Sequence, residues 1–210
     1  STRAIFGTYI DVYDMHVAIE DKRVVPIYYE SKLVELGKNE DLFKQLDEDI
    51  DEVTEFEEQD NKQYLKSKWS SVEALVGTEK RIETIAQNIV RHFELKQSVL
   101  DGKAIIVCMS RRICVDMHDA LKKIRPKWYN KDDDKGKMKV IMTGSASDGN
   151  KWQEHIRTKQ KRRKMAELFK DSSSDFKIAI VRDMWLTGFD VPSLNTMYLD
   201  KPIRHHNLMQ

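Results

Sequence analysis

The sequence predicts an α/β fold built on a parallel sheet with helices on both faces. Three observations carry this. Four short apolar runs stand out at 104–109 (AIIVCM), 139–142 (KVIM), 177–181 (KIAIV) and 196–199 (TMYL). Each is rich in Ile, Val or Met, too short for a helix, and continuous rather than alternating, as strands buried on both faces are. Helical patterns separate the runs, and strand–helix–strand alternation at this spacing makes βαβ units.

The elements follow in order. Residues 24–29 form an extended segment ahead of a low-pattern stretch, 37–76, flanked by Gly37 and Gly77. That stretch reads as an acidic insertion with locally stable helices. Thr78 is placed to cap a long helix whose Ile82, Ile85, Ile89 and Phe93 lie on one stripe. The first strand, 104–109, runs to Ser110, which sits where an N-cap belongs. Ile113, Met117, Ala120, Leu121 and Ile124 then recur at spacings of three and four, with Pro126 beyond the end. Residues 130–137 (NKDDDKGK) read as a solvated loop before the second strand. Met165, Leu168 and Phe169 give the next helix an apolar face opposite Arg162 and Arg163, and the third and fourth strands close the pattern.

Composition bounds what such a chain does. Its 210 residues are 40% apolar and 34% charged, enough for one core, since a chain of this length buries roughly 70% of its unfolded surface. No run approaches the ~18 apolar residues of a membrane span. No signal peptide is visible, and the first residue is Ser1, so the chain reads as cut from something longer. Two cysteines, Cys108 and Cys114, make no disulfide framework and suit a reducing cytoplasm. The formal charge of +1 excludes a uniformly basic binder. That total hides segregation. Residues 40–60 carry eleven acidic residues and one lysine, whereas 151–170 carry eight Lys or Arg and two Glu. For each stretch a solvated helix face is the plain reading.

Ligands of open parallel sheets bind beyond the carboxyl ends of the strands. After the four predicted strands come Ser110-Arg111-Arg112, Thr143-Gly144-Ser145, Arg182-Asp183 with Thr187-Gly188-Phe189-Asp190, and Asp200-Lys201. Hydroxyls, small residues and arginines therefore converge on one edge, a pattern that suits phosphate. The basic stretch near 157–164 follows one of these ends and adds attraction for a polyanion. Taken singly, each residue has a plainer role. Ser110 serves as a cap, Thr143-Gly144 as a turn, Gly188 as a positive-φ position, and Asp190 as a turn initiator before Val191-Pro192.

Absences narrow the chemistry. The chain has neither a GxxxxGK[ST] phosphate loop nor a GxGxxG fingerprint. His205 and His206 are adjacent and do not mimic an i,i+4 metal pair. Cys108 in an apolar strand and Cys114 on a helix read as core.

Residues 178–210 (IAIVRDMWLTGFDVPSLNTMYLDKPIRHHNLMQ) resemble the second motor lobe of superfamily 2 helicases, and within them the restriction (R) subunit of type I restriction–modification enzymes. LTGFD followed by a Pro, then YLDKP and HNLMQ, carry the likeness. Residues 4–31 and 103–121 agree with it. The resemblance covers about 3–31 and 78–210. It implies a RecA-like helicase C-terminal lobe at 77–210 and a lead-in from the first motor lobe at 1–36; the helical acidic insertion read at 37–76 lies outside its coverage. By position it places Ser110 and Arg111 in motif IV and Thr143 and Gly144 at the next DNA-phosphate contact. Arg182 through Asp190 fall in motif V. Thr187 would touch phosphate or couple the two sites, Gly188 would permit close backbone approach, and Asp190 would lie near the nucleotide. Gln210 would open motif VI, and the chain stops before that motif's arginines. Arg162, Arg163 and Lys164 would add DNA contacts.

The same resemblance implies ATP and Mg²⁺ as cofactors of an intact subunit, with none gripped by this stretch alone. Its implied partners are double-stranded DNA, a first RecA-like lobe, a nuclease domain, and modification and specificity subunits. Such a subunit would translocate duplex DNA with ATP and cut it; this piece is expected to be inactive alone. Three other readings remain open: a lobe of another superfamily 2 helicase acting in repair or remodelling, a non-catalytic interaction module whose acidic insertion docks a basic partner, and a stand-alone α/β enzyme acting on a small phosphorylated ligand.

Overall fold

In a computed structural model of the chain, the described residues are 17, 20, 21, 27–31, 73, 76–144 and 148–201. Two compact units divide the chain, Ser1–Leu33 and Val34–Gln210. The second holds all the elements described below. Most of the acidic stretch 37–76 and the predicted extended residues 24–26 lie outside the described residues, as does Gln210.

Within the second unit the order is α1 (Glu79–Val99), β1 (Lys103–Cys108), α2 (Arg111–Ile124), a 3-10 turn (Pro126–Trp128), β2 (Met138–Ile141), α3 (Asn150–Gln153), α4 (Lys159–Lys170), β3 (Ile178–Val181) and β4 (Leu194–Asp200). The strands form one sheet in the order β2-β3-β1-β4, and every pairing is parallel. This is the α/β, RecA-like arrangement of a helicase C-terminal lobe, and each predicted strand falls within two residues of its place.

The reason lies in burial. Every residue of β1, β2 and β3 is buried, so apart from Lys103 and Lys139 their side chains are apolar on both faces and leave a near-continuous signal. Alternate residues feed two cores. Ala104, Ile106 and Cys108 join Val140, Ile178 and Ile180 beneath α1 and α2. Ile105 and Val107 join Ile141, Ala179 and Val181 against Met165 and Phe169 of α4. Strand β4 differs from the expectation of full burial. It is an edge strand, and its burial alternates down to Asp200. Met197 and Leu199 are each 44% exposed, while Tyr198 on the opposite face meets His92 of α1 at 2.8 Å.

The helix ends divide by chemistry. Ser110 caps α2 as expected, its Oγ accepting from the Ile113 N–H at 3.3 Å. Thr78 precedes α1 with extended dihedrals, yet its side chain makes no cap hydrogen bond. An unpredicted device protects the free edge of β2. The chain at Ile156 bridges Met142 in parallel. The buried Arg157 guanidinium donates to the Val140 carbonyl at 3.2 Å and to Asp133 Oδ1 at 2.7 Å. Covering an edge this way removes a template for intermolecular pairing. The loop 130–137 is mostly exposed, as expected, and within it Asp133 also holds the buried Arg157.

Candidate nucleic-acid interface

Because all four strands are parallel, the segments that leave their carboxyl ends emerge on one edge of the sheet. In spatial order these are Thr143-Gly144, Arg182 onward, Ser110-Arg111 and Lys201. The expected gathering of polar residues exists, but several are already engaged within the protein.

Ser110 donates from Oγ to Glu73 Oε1 at 2.7 Å while capping α2. Arg112 fastens the same neighbour, with Nε 3.3 Å from Glu73 Oε1 and a second nitrogen donating to the Glu73 carbonyl. Arg111 makes a fork-like pair with Asp148 at 2.8 and 3.0 Å. It also donates to the Thr143 carbonyl at 2.9 Å and lies 5.0 Å from the Trp152 ring centroid. Asp148 is 4% exposed at its side chain. Bidentate geometry of this kind is strong and directional, so Arg111 ties Asp148 to Thr143 at the end of β2.

Thr143 and Gly144 are exposed and line an open depression of about 520 Å³ with Ile156, Thr158 and Arg162. Gly144 is required there by space. A Cβ on it would stand 2.4 Å from Ile156 Cγ2. Thr158 caps α4 by accepting from the Lys161 N–H at 3.3 Å. Arg162 donates to the Arg157 carbonyl beside the depression. The three basic residues expected to act together are separated. Arg162 is half-buried on the sheet-facing side of α4, Arg163 is exposed on the opposite side, and Lys164 reaches Asp134 at 3.3 Å. Helical spacing explains the split, since neighbours on a helix diverge by about 100°.

The loop from Arg182 to Asp190 carries the remaining candidates. Arg182 is exposed and, among the described residues, pairs with its neighbour Asp183 at 3.0 Å, a contact worth little in water. Lys201, at the end of β4, reaches Asp183 at 2.5 Å. Thr187, Gly188 and Asp190 are exposed. Gly188 has φ +64°, and a Cβ there would meet nothing within 4 Å. Its role is therefore conformational, and its surface is open to an approaching group. Gly188→Ala should cost about 1 kcal/mol of stability from the left-handed backbone alone, read as a lowered urea midpoint with unchanged slope.

Trp185 is the unforeseen member. It has φ 66°, a region that bulky side chains seldom occupy and that costs of order 1–3 kcal/mol. Its ring stacks on Phe189 at 4.5 Å and 18°, and on Phe169 of α4 at 5.5 Å and 25°.

Away from this edge lie buried basic groups that sequence reading missed. Lys103 is fully buried at the start of β1. Its Nζ donates to the carbonyls of Leu168 and Asp171 and to Ser174 Oγ. Burial, then the nearby Lys177 charge, lowers its pKa to about 8. His118 of α2 meets His155 edge to face at 4.6 Å, both rings buried. Burial lowers both pKa values, and His155 falls to about 4. Cys108 and Cys114 are buried and unpaired, as the core reading expects.

Among the described residues, no group of three or more His, Cys, Asp or Glu is placed to hold a metal. No helix among them is long and apolar enough to cross a membrane.

The parallel sheet and its flanking helices define the class: an α/β lobe of RecA-like arrangement. Residues 117–210 match the family model for type I restriction enzyme subunit R domain 3, and residues 1–63 match that for the SWI2/SNF2 ATPase. The chain is 40% identical over 212 aligned positions to the type I restriction enzyme HindI endonuclease subunit of Haemophilus influenzae. It is 38% identical over 213 positions to a putative type I restriction enzyme MjaIXP endonuclease subunit of Methanocaldococcus jannaschii. Each alignment takes in 100% of this chain and 19% of the relative. The chain belongs to the type I restriction enzyme R-subunit family.

Proposed function

We propose that this chain is the second motor lobe, with its lead-in, of an ATP-driven DNA-translocating endonuclease subunit of a type I restriction enzyme. Residues 1–36 lead in from a first lobe, 37–76 form an acidic insertion, and 77–210 form the lobe itself. The carboxyl edge of the sheet grips the sugar–phosphate backbone of duplex DNA, and the 182–190 loop faces both that backbone and the cleft toward the first lobe. ATP and Mg²⁺ would be gripped by the first lobe, with this lobe completing part of the cleft, and the chemistry they would supply is phosphoryl hydrolysis. Sequence recognition and methylation belong to the specificity and modification subunits, and strand cutting to a nuclease domain of the same polypeptide.

The observation that carries this reading is the depression of Thr143, Gly144, Thr158 and Arg162 at the end of β2. It joins two hydroxyls and a guanidinium on an open surface, as a sequence-independent phosphate contact needs. Ser110 and Arg111 serve it differently from the expectation. Arg111 shapes the turn, and Ser110 meets phosphate only when Glu73 gives way. On the family resemblance alone, Asp190 and Gln210 are assigned to the nucleotide cleft.

The test is the salt dependence of duplex binding by the full subunit. Arg162→Ala should lower the slope of log affinity against log salt by about 1, the loss of one phosphate contact. Lys164→Ala, whose ammonium is neutralised by Asp134, should change it less. Equal slopes for wild type and Arg162→Ala would reject the depression as a DNA site.

A further inference from the structure

The 182–190 loop holds an unusual backbone on a very regular set of rings. Trp185 at φ 66° would relax to an ordinary conformation unless something outside its own backbone held it. What holds it is visible. The planes of Trp185, Phe189 and Phe169 lie within 13° to 25° of one another, with centroids 4.5, 5.5 and 6.4 Å apart. This is within the range where offset aromatic stacking is favourable. The stack is founded on the core, because Phe169 is fully buried and packs on Phe176 at 4.8 Å. Two ammonium groups flank it. Lys103 Nζ is 5.2 Å from the Phe169 centroid, and Lys170 Nζ is 5.3 Å from that of Phe189. Thr187 and Gly188 lie between the two stacked residues of the loop and are themselves exposed.

We propose that Trp185 is the positioning residue for the Thr187–Gly188 turn. Its ring, fixed on Phe169, presets the strained loop in its phosphate-facing form and ties that loop to α4, the helix that carries Arg162. The assignment rests on the proposed DNA contact of this edge and deepens it. Trp185 touches no ligand and acts through Thr187.

The test uses the full subunit with Trp185→Ala, Trp185→Phe, Thr187→Ala and the double variant Trp185→Ala/Thr187→Ala. Two properties are read: chymotrypsin cleavage within 182–191, mapped by mass, and affinity for a nonspecific duplex at fixed salt. Trp185→Ala should raise cleavage about tenfold and weaken duplex binding about fivefold, although it removes one cleavage site. Trp185→Phe keeps a ring on Phe169 and should restore both. The double variant should bind no more weakly than the worse single, since residues that act as a unit are not additive. Unchanged cleavage in Trp185→Ala, failure of Phe to restore, or additive losses would each overturn the assignment. If Trp185→Ala loosens the loop while Thr187→Ala binds duplex normally, the positioning role stands and the DNA reading of this loop falls.

Discussion

Asp200→Ala should lower the unfolding free energy by about 3 kcal/mol, the low end of what breaking a buried ion pair costs. Asp200 ends β4 with its side chain 7% exposed, and Arg81 of α1 meets it with 15% exposure. The two form a fork, with nitrogen–oxygen distances of 2.5 and 3.2 Å, and Arg81 also donates to the Val76 carbonyl at 3.0 Å. Removing the carboxylate leaves a largely buried guanidinium without its charge partner, and Arg81 Nε already lacks a partner among the described residues. The exposure of Arg81 is what keeps the estimate at the low end. A urea titration measures the loss. The double variant Arg81→Met/Asp200→Leu is the decisive control, since replacing both charges by apolar groups should recover most of the stability. Equal midpoints for wild type and Asp200→Ala would mean the pair contributes nothing.

That pair shows where sequence reading stops. Asp200 follows an apolar run and sits at a strand's carboxyl end, so it was grouped with the polar edge. Its partner lies 119 positions earlier on another element, and nothing local marks the pairing. Arg111 repeats the lesson. As a residue at a helix start beyond a strand it looks like a phosphate contact, yet Asp148, 37 positions on, claims its guanidinium. The strands were legible because burial on both faces writes itself into consecutive residues. The cap at Ser110 was legible because it acts over three residues. The conformations of Gly188 and Trp185 differ in the same way. A glycine announces a positive φ, whereas a tryptophan there is explained only by Phe169, sixteen positions back on another element.

Arg162, Arg163 and Lys164 add a finer point. Charge density located the basic helix correctly at α4. It did not say which residue faces the strand ends, because that depends on the phase of the helix against the sheet. Met165 and Phe169 set the phase by packing into the core, which turns Arg162 toward Thr143 and Gly144 and Arg163 away.

The second large effect is on the pH dependence of stability. His155 and His118 are buried edge to face, and His155 Nε2 has no hydrogen-bond partner among the described residues, with Glu154 Oε1 at 3.4 Å. Burial first, then the charge of His118, lowers the His155 pKa from 6.5 to about 4. The opposing pull of Glu154 and Asp119 is smaller, and Arg157 adds to the lowering. Above pH 6.5 the ring is neutral in both folded and unfolded chains, so it makes stability independent of pH. As pH falls below that value the unfolded chain takes up a proton that the folded chain refuses. Stability therefore falls through the window from 6.5 to about 4 and levels off below it. At pH 5 the loss from His155 alone is about 2 kcal/mol relative to pH 7, and His118, whose pKa is also lowered, acts in the same direction. Urea midpoints of wild type and His155→Gln, compared at pH 7 and pH 5, isolate this contribution from that of the carboxylates. The wild type should lose about 2 kcal/mol more than the variant over that interval. A His155 ring resonance that titrates near 6.5 in the folded protein, or equal losses in the two proteins, would show that the pair is wetter and less constrained than its packing implies.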